Sequence, residues 1–255
     1  MKQVIEKIME SIKAILKESG AKGTVVAVSG GVDSAVVLKL SVLSGADTLA
    51  LNMPDEGVSS PNDSADAIEY AKNLGLRYHV IEINKAFDTI KKSFPWDEYD
   101  NINRKLAEAN IKPRLRMMYC YLLANLDDRI VLGTGNRSEL LLGYLTKHGD
   151  GASDLEPIGS LYKTRVYELA NYLEIPAHFI EKKPSAGLWK GQTDESELGA
   201  DYMLLDEILK LLVDEGFSPQ QVARNLDTTE AFVNEINKRV KSSKHKRDKI
   251  RILSL

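Results

Sequence analysis

The sequence predicts an α/β fold: a doubly wound parallel sheet flanked by helices, with a C-terminal helical extension. Three observations predict it. Four short runs at 24–28, 47–52, 76–83 and 129–133 have the length and apolar content of strands. Helical spacings fill the intervals between them, and after residue 143 the strand signal fades while helical patterns continue. Strands that alternate with helices build a parallel sheet covered on both faces. With 255 residues the chain can bury a sizeable core as a single domain, 1–255, with an α/β core over 22–143 and a loop and helical extension over 144–255.

Each element has its own signal. Val4, Ile5, Ile8, Ile12, Ile15 and Leu16 recur at helical spacing and stop at Gly20, a residue suited to a helix C-terminus. The strand 24–28 runs into Gly30-Gly31, and Val32, Val36, Val37 and Leu40 begin a helix over 32–44. The strand 47–52 precedes a helix over 61–74, with Ser60 as N-cap and Pro61 in the first turn. The strand 76–83 is followed by helices over 84–93 and 103–126, and the strand 129–133 closes the alternating part. The stretch YLTKHGDGASDLEPIGSLYK, 144–163, is a long loop rich in glycine and acid, of a kind that is usually functional in a compact enzyme. Helical stretches follow at 163–173, 201–213 and 218–242.

Composition narrows the class. Apolar content of 43% and charged content of 28% are ordinary for a soluble globular protein. No apolar run approaches the ~18 residues of a membrane span, and Met1 to Gly20 lacks a signal-peptide core, so a cytoplasmic location and no membrane partner are expected. Cys120 is the single cysteine, which excludes an internal disulfide, and its apolar neighbours point to packing rather than reactivity. Residues 238–251 hold eight Lys and Arg against one Asp, on a chain whose net charge is −3. An acidic body with a basic tail calls for an anionic partner, nucleotide phosphate or nucleic acid, unless the tail is simply a solvated end.

In an open parallel sheet, ligands sit beyond the carboxyl ends of the strands. Three polar, glycine-bearing segments fall there: SGGVDS at 29–34, MPDEG at 53–57 and GTGNRSE at 133–139. SGGVDS is neither a Walker loop, lacking its lysine, nor a dinucleotide fingerprint, lacking a third glycine. Two hydroxyls and successive backbone N–H groups suit a pyrophosphate held whole and released, with Asp33 placed for magnesium. Taken singly, Gly30 and Gly31 read equally well as a tight turn, Ser29 as a helix cap and Asp33 as a first-turn acid worth ~0.3–1 kcal/mol. A loop of this kind favours attack at the α-phosphorus of ATP.

This loop resembles the signature of the adenylating ATP-pyrophosphatase superfamily. Within it, NIKPRLRM (110–117), LGTGNRSELLLGYLTKHGDGASDLEPIGSLYKT (132–164), KKPSAGLW (182–189), QTDESELG (192–199) and KHKR (244–247) resemble the motifs of NAD synthetases, in order, across about 22–248. The resemblance implies an adenine nucleotide alpha-hydrolase-like fold and ATP-dependent amidation of deamido-NAD by ammonia, through an acyl-adenylate, with AMP and pyrophosphate released. It implies ATP as co-substrate, Mg2+ as cofactor and a homodimer. Matched residue by residue, Val28, Ser29, Gly30, Gly31, Val32, Asp33 and Ser34 cradle the ATP phosphates, and Asp33 and Glu139 bind magnesium. Thr134, Lys163 and Ser185 contact ATP, and Met53 is assigned to the adenine. Arg114, Lys147, Asp154, His245 and Lys246 fall where the family binds deamido-NAD. Asp150 matches an acid that takes a proton from ammonium; with Asp33 and Lys163 it completes the catalytic set.

Plainer readings stand beside these roles: Arg114 as a surface ion pair, Glu139 as a first-turn acid, Lys163 as a helix-start cation and His245 as a solvated tail residue. Bacterial members commonly have Gly-Thr-Asp-His-Ala-Ala-Glu where this chain has Gly-Thr-Gly-Asn-Arg-Ser-Glu, so the contacts around Asn136 and Arg137 differ. Glutamine-dependent relatives carry an additional amidohydrolase domain, for which 255 residues leave no room, so free or delivered ammonia is expected. Rival enzyme readings are another adenylating amidotransferase, such as the synthetase part of GMP synthetase, or a tRNA-thiolating enzyme. From a different class, Gln220 to Leu226 and Thr229 to Val240 scan as a DNA-binding helix-turn-helix, although Glu230 and Glu235 and the acidic body make nucleic acid an unfavourable partner.

Overall fold

The computed structural model describes residues 1–99, 103–248 and 252–253. Lys249 and Arg251 of the basic tail lie outside them. Four strands, β1 (Gly23–Ala27), β2 (Asp47–Asn52), β3 (Arg77–Val80) and β4 (Arg129–Leu132), form one parallel sheet in the order β3-β2-β1-β4. Gly23 registers with Asp47 on one side and with Arg129 on the other, so β1 is central. The chain winds outward from β1 through β2 to β3 and then crosses back to β4. The strand order reverses between β1 and β4, where two successive crossovers leave a crevice.

Fourteen helices are described: α1 (Lys2–Ser19), α2 (Val32–Leu43), α3 (Pro61–Asn73), α4 (Asn84–Ser93), α5 (Arg104–Ala109), α6 (Ile111–Asp127), α7 (Arg137–Leu142), α8 (Lys163–Tyr172), α9 (Ala177–Glu181), α10 (Asp194–Leu198), α11 (Tyr202–Leu209), α12 (Pro219–Asn225), α13 (Glu230–Ser242) and α14 (Lys244–Arg247). α1 buries Ile5, Ile8 and Ile12 and ends at Gly20 in the left-handed region. α3 begins as its sequence dictates, with the Ser60 hydroxyl accepting from the Asn62 N–H and Pro61 in the first turn.

Both faces of the sheet are covered. On one, α1, α2, α8 and α9 pack with Val26, Ile130 and Leu132 around Ile12, Leu38 and Phe179. On the other, Val25, Leu49, Leu51 and Val131 meet Ile83, Cys120 and Ala124. Burial pushes the Cys120 thiol up to about 12, so it is an inert packing residue, as its neighbours predict. A third core joins α7, α11, α12 and α13 through Leu141, Tyr202, Leu205, Val222, Val233 and Ile236.

Four expectations need correction. The strand expected over 76–83 is only Arg77–Val80, because its partner β2 leaves the sheet at Pro54, which has no N–H to offer. The helix expected over 103–126 is two helices, broken at Asn110; Pro113 cannot continue a helix from α5, but is tolerated in the first turn of α6. The helix expected over 201–213 is α-helical only to Leu209 and continues as a π turn, Lys210–Asp214. The stretch 218–242 divides into α12 and α13, with Asp227 in the left-handed region and Thr229 capping α13. These two helices have helix-turn-helix spacing, yet α13 turns Val233 and Ile236 into the third core against α7.

Candidate active site

The crevice at the end of β1 is lined by the segments that the sequence places there. Gly30 has φ 79°, and a Cβ on it would lie 2.6 Å from the Asp63 carbonyl oxygen, so only glycine fits between the two. Gly31 is the N-cap of α2, and the Ser29 and Ser34 hydroxyls brace the turn internally. The Ser29 N–H donates to Ser34 Oγ at 3.2 Å, Ser34 Oγ donates to the Gly31 carbonyl at 2.9 Å, and the Gly31 N–H donates to Ser29 Oγ at 3.3 Å. The turn therefore holds its shape without a ligand and presents the unpaired N-terminal N–H groups of α2 to an anion. Val28 and Val32 turn their side chains into the core, leaving only their backbone to this loop.

Asp33, in the first turn of α2, meets residues from two distant elements. One carboxylate oxygen receives the Asn136 side-chain amide at 3.1 Å, and the other pairs with the Lys163 ammonium. Asn136 caps α7 in a reciprocal box: its side chain accepts from the Glu139 N–H at 3.0 Å, and the Glu139 carboxylate accepts from the Asn136 N–H at 3.1 Å. One motif thus orients both Asn136 and Glu139 toward Asp33.

Lys163 opens α8, where a cation opposes the helix dipole. Its position is secured by buried anions. The Lys163 and Thr164 N–H groups donate to Ser138 Oγ at 2.9 Å and to Asp206 Oδ2 at 2.8 Å, and Ser138 in turn hydrogen-bonds Asp206. The ammonium lies 5.6 Å from the ring centres of both Tyr167 and Tyr202. Burial disfavours its charge, but Asp33 and Glu139 outweigh that and raise its pKa. Glu139 is itself raised well above the usual carboxylate range by burial and by the charge of Asp33, against the pull of Lys163. Asp194, also raised by burial, accepts the Tyr202 hydroxyl at 2.8 Å and adds negative charge nearby.

A second group of expected residues gathers beside α6. The Arg114 guanidinium donates to the Lys147 carbonyl at 3.4 Å, and the Tyr121 hydroxyl donates to Asp154 Oδ1 at 3.2 Å. Asp154 Oδ2 accepts the Val131 N–H at 2.7 Å, which fixes it beside β4. Asp150 accepts the Thr146 N–H at 2.8 Å. Asp150 is exposed, and local desolvation raises its carboxyl above the usual range against the hydrogen bond from Thr146. Lys246 reaches the same loop from the basic tail, donating to the Gly143 and Leu145 carbonyls at 2.6 and 2.8 Å.

Other expected residues make fewer site contacts. Met53 is packed in the core at the end of β2, and its carbonyl accepts from Arg116 at 3.1 Å. Ser185 is exposed and accepts the Gly187 N–H at 3.2 Å within its own loop; His245 is exposed; Thr134 is half-buried.

Sequence reasoning missed several cations and acids that shape the crevice. Lys182 pairs with Asp63 at 2.8 Å and donates to the Gly30 carbonyl at 3.3 Å, fastening the Ser185 loop to the cradle. Lys112, buried at the start of α6, pairs with Asp55 at 2.5 Å and donates to the Leu188 carbonyl at 3.0 Å. Glu156 reaches the Gly135 N–H at 2.8 Å. Of the missed residues, only Asn136 had a local signal, the Asn-x-x-Glu spacing of a capping box.

The NAD synthase family model matches residues 4–250. The NH(3)-dependent NAD(+) synthetase of Archaeoglobus fulgidus is 50% identical over 82% of this chain and 83% of its own length. Among solved structures, the NMN synthetase of Francisella tularensis superposes with a TM-score of 0.86 at 34% identity, covering 100% of this chain and 98% of that one. The NH3-dependent NAD synthetase of Campylobacter jejuni gives 0.81 at 30% identity, covering 99% of each. The likeness extends over nearly the whole chain, and the chain belongs to the NAD synthase family.

Proposed function

We propose that this chain amidates the nicotinate carboxylate of deamido-NAD with ammonia, driven by ATP, and releases NAD, AMP and pyrophosphate. The observation that carries the reading is the Asp33, Lys163 and Glu139 constellation at the open end of the Ser29–Ser34 cradle. A carboxylate is a poor acyl donor because oxide is a prohibitive leaving group. Its oxygen attacks the α-phosphorus of ATP, the bond to the bridging oxygen breaks, and pyrophosphate leaves with the electron pair. Backbone N–H groups of Gly30 and of Val32 to Ser34 hold the departing anion, and Lys163 stabilises its charge. Thr134, Ser185 and Met53 complete the nucleotide site.

Ammonia then attacks the acyl carbon, and AMP leaves. Asp150 suits the proton from the incoming ammonium, because its carboxyl is raised and open to the crevice. Arg114, Lys147, Asp154, His245 and Lys246 flank the acid substrate from α6, the long loop and the tail.

Asp33 and Glu139 fit a divalent cation. Both are hard oxygen donors, the charge of one raises the other, and the Lys163 ammonium already stands against Asp33 as a counter-charge. Among the described residues no group of three or more metal-ligating side chains exists. Magnesium needs no such cage, being held by one or two carboxylates with substrate phosphates. Bound there, it neutralises charge on the pyrophosphate.

The whole chain acts as one catalytic unit, since Val166, Leu169 and Phe179 of the C-terminal half share a core with Val26 and Leu38 of the N-terminal half. No described helix is long and apolar enough to cross a membrane, and we assign the chain to the cytoplasm. Met118, Leu122 and Leu126 expose an apolar stripe on α6 that suits a homodimer.

The test is to supply ATP, deamido-NAD and either ammonium chloride or glutamine. NAD, AMP and pyrophosphate should form with ammonium and scarcely at all with glutamine; ADP and orthophosphate would overturn the scheme. The likeness to an NMN synthetase favours a second reading, amidation of the mononucleotide acid by the same chemistry. Comparing kcat/KM for the two acids decides between them.

A further inference from the structure

Residues 153–156 run beside the end of β4 as a short continuation of the sheet. The Asp154 N–H donates to the Val131 carbonyl at 2.9 Å, the Gly133 N–H donates to the Leu155 carbonyl at 2.8 Å, and Leu132 bridges Leu155 in parallel. The next side chain, Glu156, crosses behind the Gly133-Thr134-Gly135 turn. One carboxylate oxygen accepts the Gly135 N–H at 2.8 Å and the other accepts the Ser153 hydroxyl at 2.9 Å.

The two glycines of this turn are there for a different reason from Gly30. Neither Gly133 nor Gly135 is in the left-handed region, so backbone conformation does not require glycine at either position. A Cβ on Gly133 would lie 2.2 Å from Glu156 Oε1, and one on Gly135 would lie 3.3 Å from Oε2. The side-chain space of both positions belongs to the Glu156 carboxylate. A buried carboxylate is an expensive filler, and an apolar side chain of the same volume would favour stability more.

We propose that Glu156 is a positioning residue for the reaction: its carboxylate braces the Gly133-Thr134-Gly135 turn from behind and so presents Thr134 to the nucleotide. This rests on the reading above, in which Thr134 contacts ATP. Burial pushes the Glu156 carboxyl up to about 7, against the hydrogen bonds from Ser153 and Gly135, and the charge of Asp150 raises it further. Asp150 faces it from the long loop and Tyr121 from α6, the Tyr121 phenol being raised in small part by Glu156. Its ionised, strongly accepting form therefore develops in the neutral range.

Glu156→Gln keeps the shape and one acceptor but removes the charge. ATP binding is titrated calorimetrically without the acid substrate, and steady-state rates are measured separately between pH 6 and 8.5. We expect ATP affinity and KM to weaken ~5–10-fold at pH 8, the difference fading toward pH 6, with kcat and the KM for ammonium unchanged, as loss of a charge-assisted bond implies. Because the carboxyl is raised on folding from 4.5 to about 7, its ionisation lowers stability as pH rises through that range, and the loss is complete above about pH 7. The variant should therefore melt no lower than the parent at pH 8. Equal ATP affinity of the two proteins at every pH overturns the proposal.

A double-mutant cycle gives a second decision. Gly133→Ala should weaken ATP binding in the parent by dislodging Glu156, and should cost nothing further in the Glu156→Ala background. Equal cost in both backgrounds overturns the proposal. A parent protein that binds ATP but forms no NAD refutes the functional reading instead, and the ATP titrations still decide the role of Glu156.

Discussion

The Lys163 ammonium pairs with the Asp33 carboxylate although 130 residues separate them, and both are withdrawn from solvent, at 3% and 16% side-chain exposure. Glu139 supplies a second negative charge to the same lysine. Replacing Lys163 with Met leaves two acids facing each other with no cation. Turnover should fall ~100- to 1000-fold, the usual cost of losing a preorganised group that stabilises developing charge. The stability curve should also change. In the parent, the raised Lys163 pKa contributes stability that is present below about pH 10.5, the value of a free lysine, and lost as pH rises above it. In the variant Glu139, already raised by burial and by the charge of Asp33, loses the opposing pull of Lys163 and is raised further, so the melting temperature should fall as pH rises from 5 to 8. Calorimetric scans of both proteins over that range check this.

Asp33→Asn tests the other partner. From sequence alone Asp33 reads as a metal ligand or a first-turn acid, and the structure shows it also neutralising a buried lysine. The variant should lose magnesium-dependent turnover and also ~1–3 kcal/mol of stability, less than a fully orphaned buried charge would cost, because Glu139 remains. A melting temperature equal to the parent's would show that Glu139 alone suffices for Lys163.

Much of this was legible and some was not, for physical reasons. Strand-loop-helix joints follow from local pattern, so the cradle with Asp33 and the crevice could be expected from order and spacing, whereas bringing Glu139 and Lys163 to them rested on the family resemblance. The pairing of Lys112 with Asp55 and of Lys182 with Asp63 could not, because a lysine looks alike in sequence whether solvated or buried. The glycines at 133 and 135 are also explained only in three dimensions, because the Glu156 carboxylate, from another segment, stands where their side chains would go. The break at Asn110 was missed because apolar periodicity survived across the turn, while the split of 218–242 was legible only in the rival helix-turn-helix reading.

Lys112 makes a third case. Its ammonium joins Asp55, from the loop after β2, to the carbonyl of Leu188, in the loop that carries Ser185. Phe87 lies 5.1 Å from it, and the pair is nearly sealed from solvent, at 10% and 4% side-chain exposure. Lys112→Met should cost ~1–3 kcal/mol, less than a fully orphaned buried charge, because Asp55 keeps the Asn84 amide at 3.1 Å and the nearby Arg116 charge. It should also free the loop. Limited proteolysis should then cut within residues 183–193 faster than in the parent, and ATP should restore protection only in part. Unchanged cleavage would mean that Trp189, which lies 4.5 Å under the Lys105 ammonium, holds the loop unaided.

The exposed stripe on α6 makes the last case. Met118, Leu122 and Leu126 are 59%, 53% and 71% exposed and recur every fourth residue, so they share one face. The opposite side of α6 carries Cys120 and Ala124 into the core, and the same helix bears Arg114, which the proposed function sets beside the acid substrate, and Tyr121, which holds Asp154. Three large apolar side chains left to water on an otherwise packed helix disfavour an isolated monomer, and each gains ~1.5–3 kcal/mol when fully covered. A partner copy seated there would also enclose the acid substrate. Leu122→Asp combined with Met118→Asp should therefore shift the sedimenting species from dimer to monomer without lowering helical content. The KM for deamido-NAD should rise more than that for ATP, since only the substrate side borders the stripe. A parent protein that sediments as a monomer at micromolar concentration would remove the basis for this assignment.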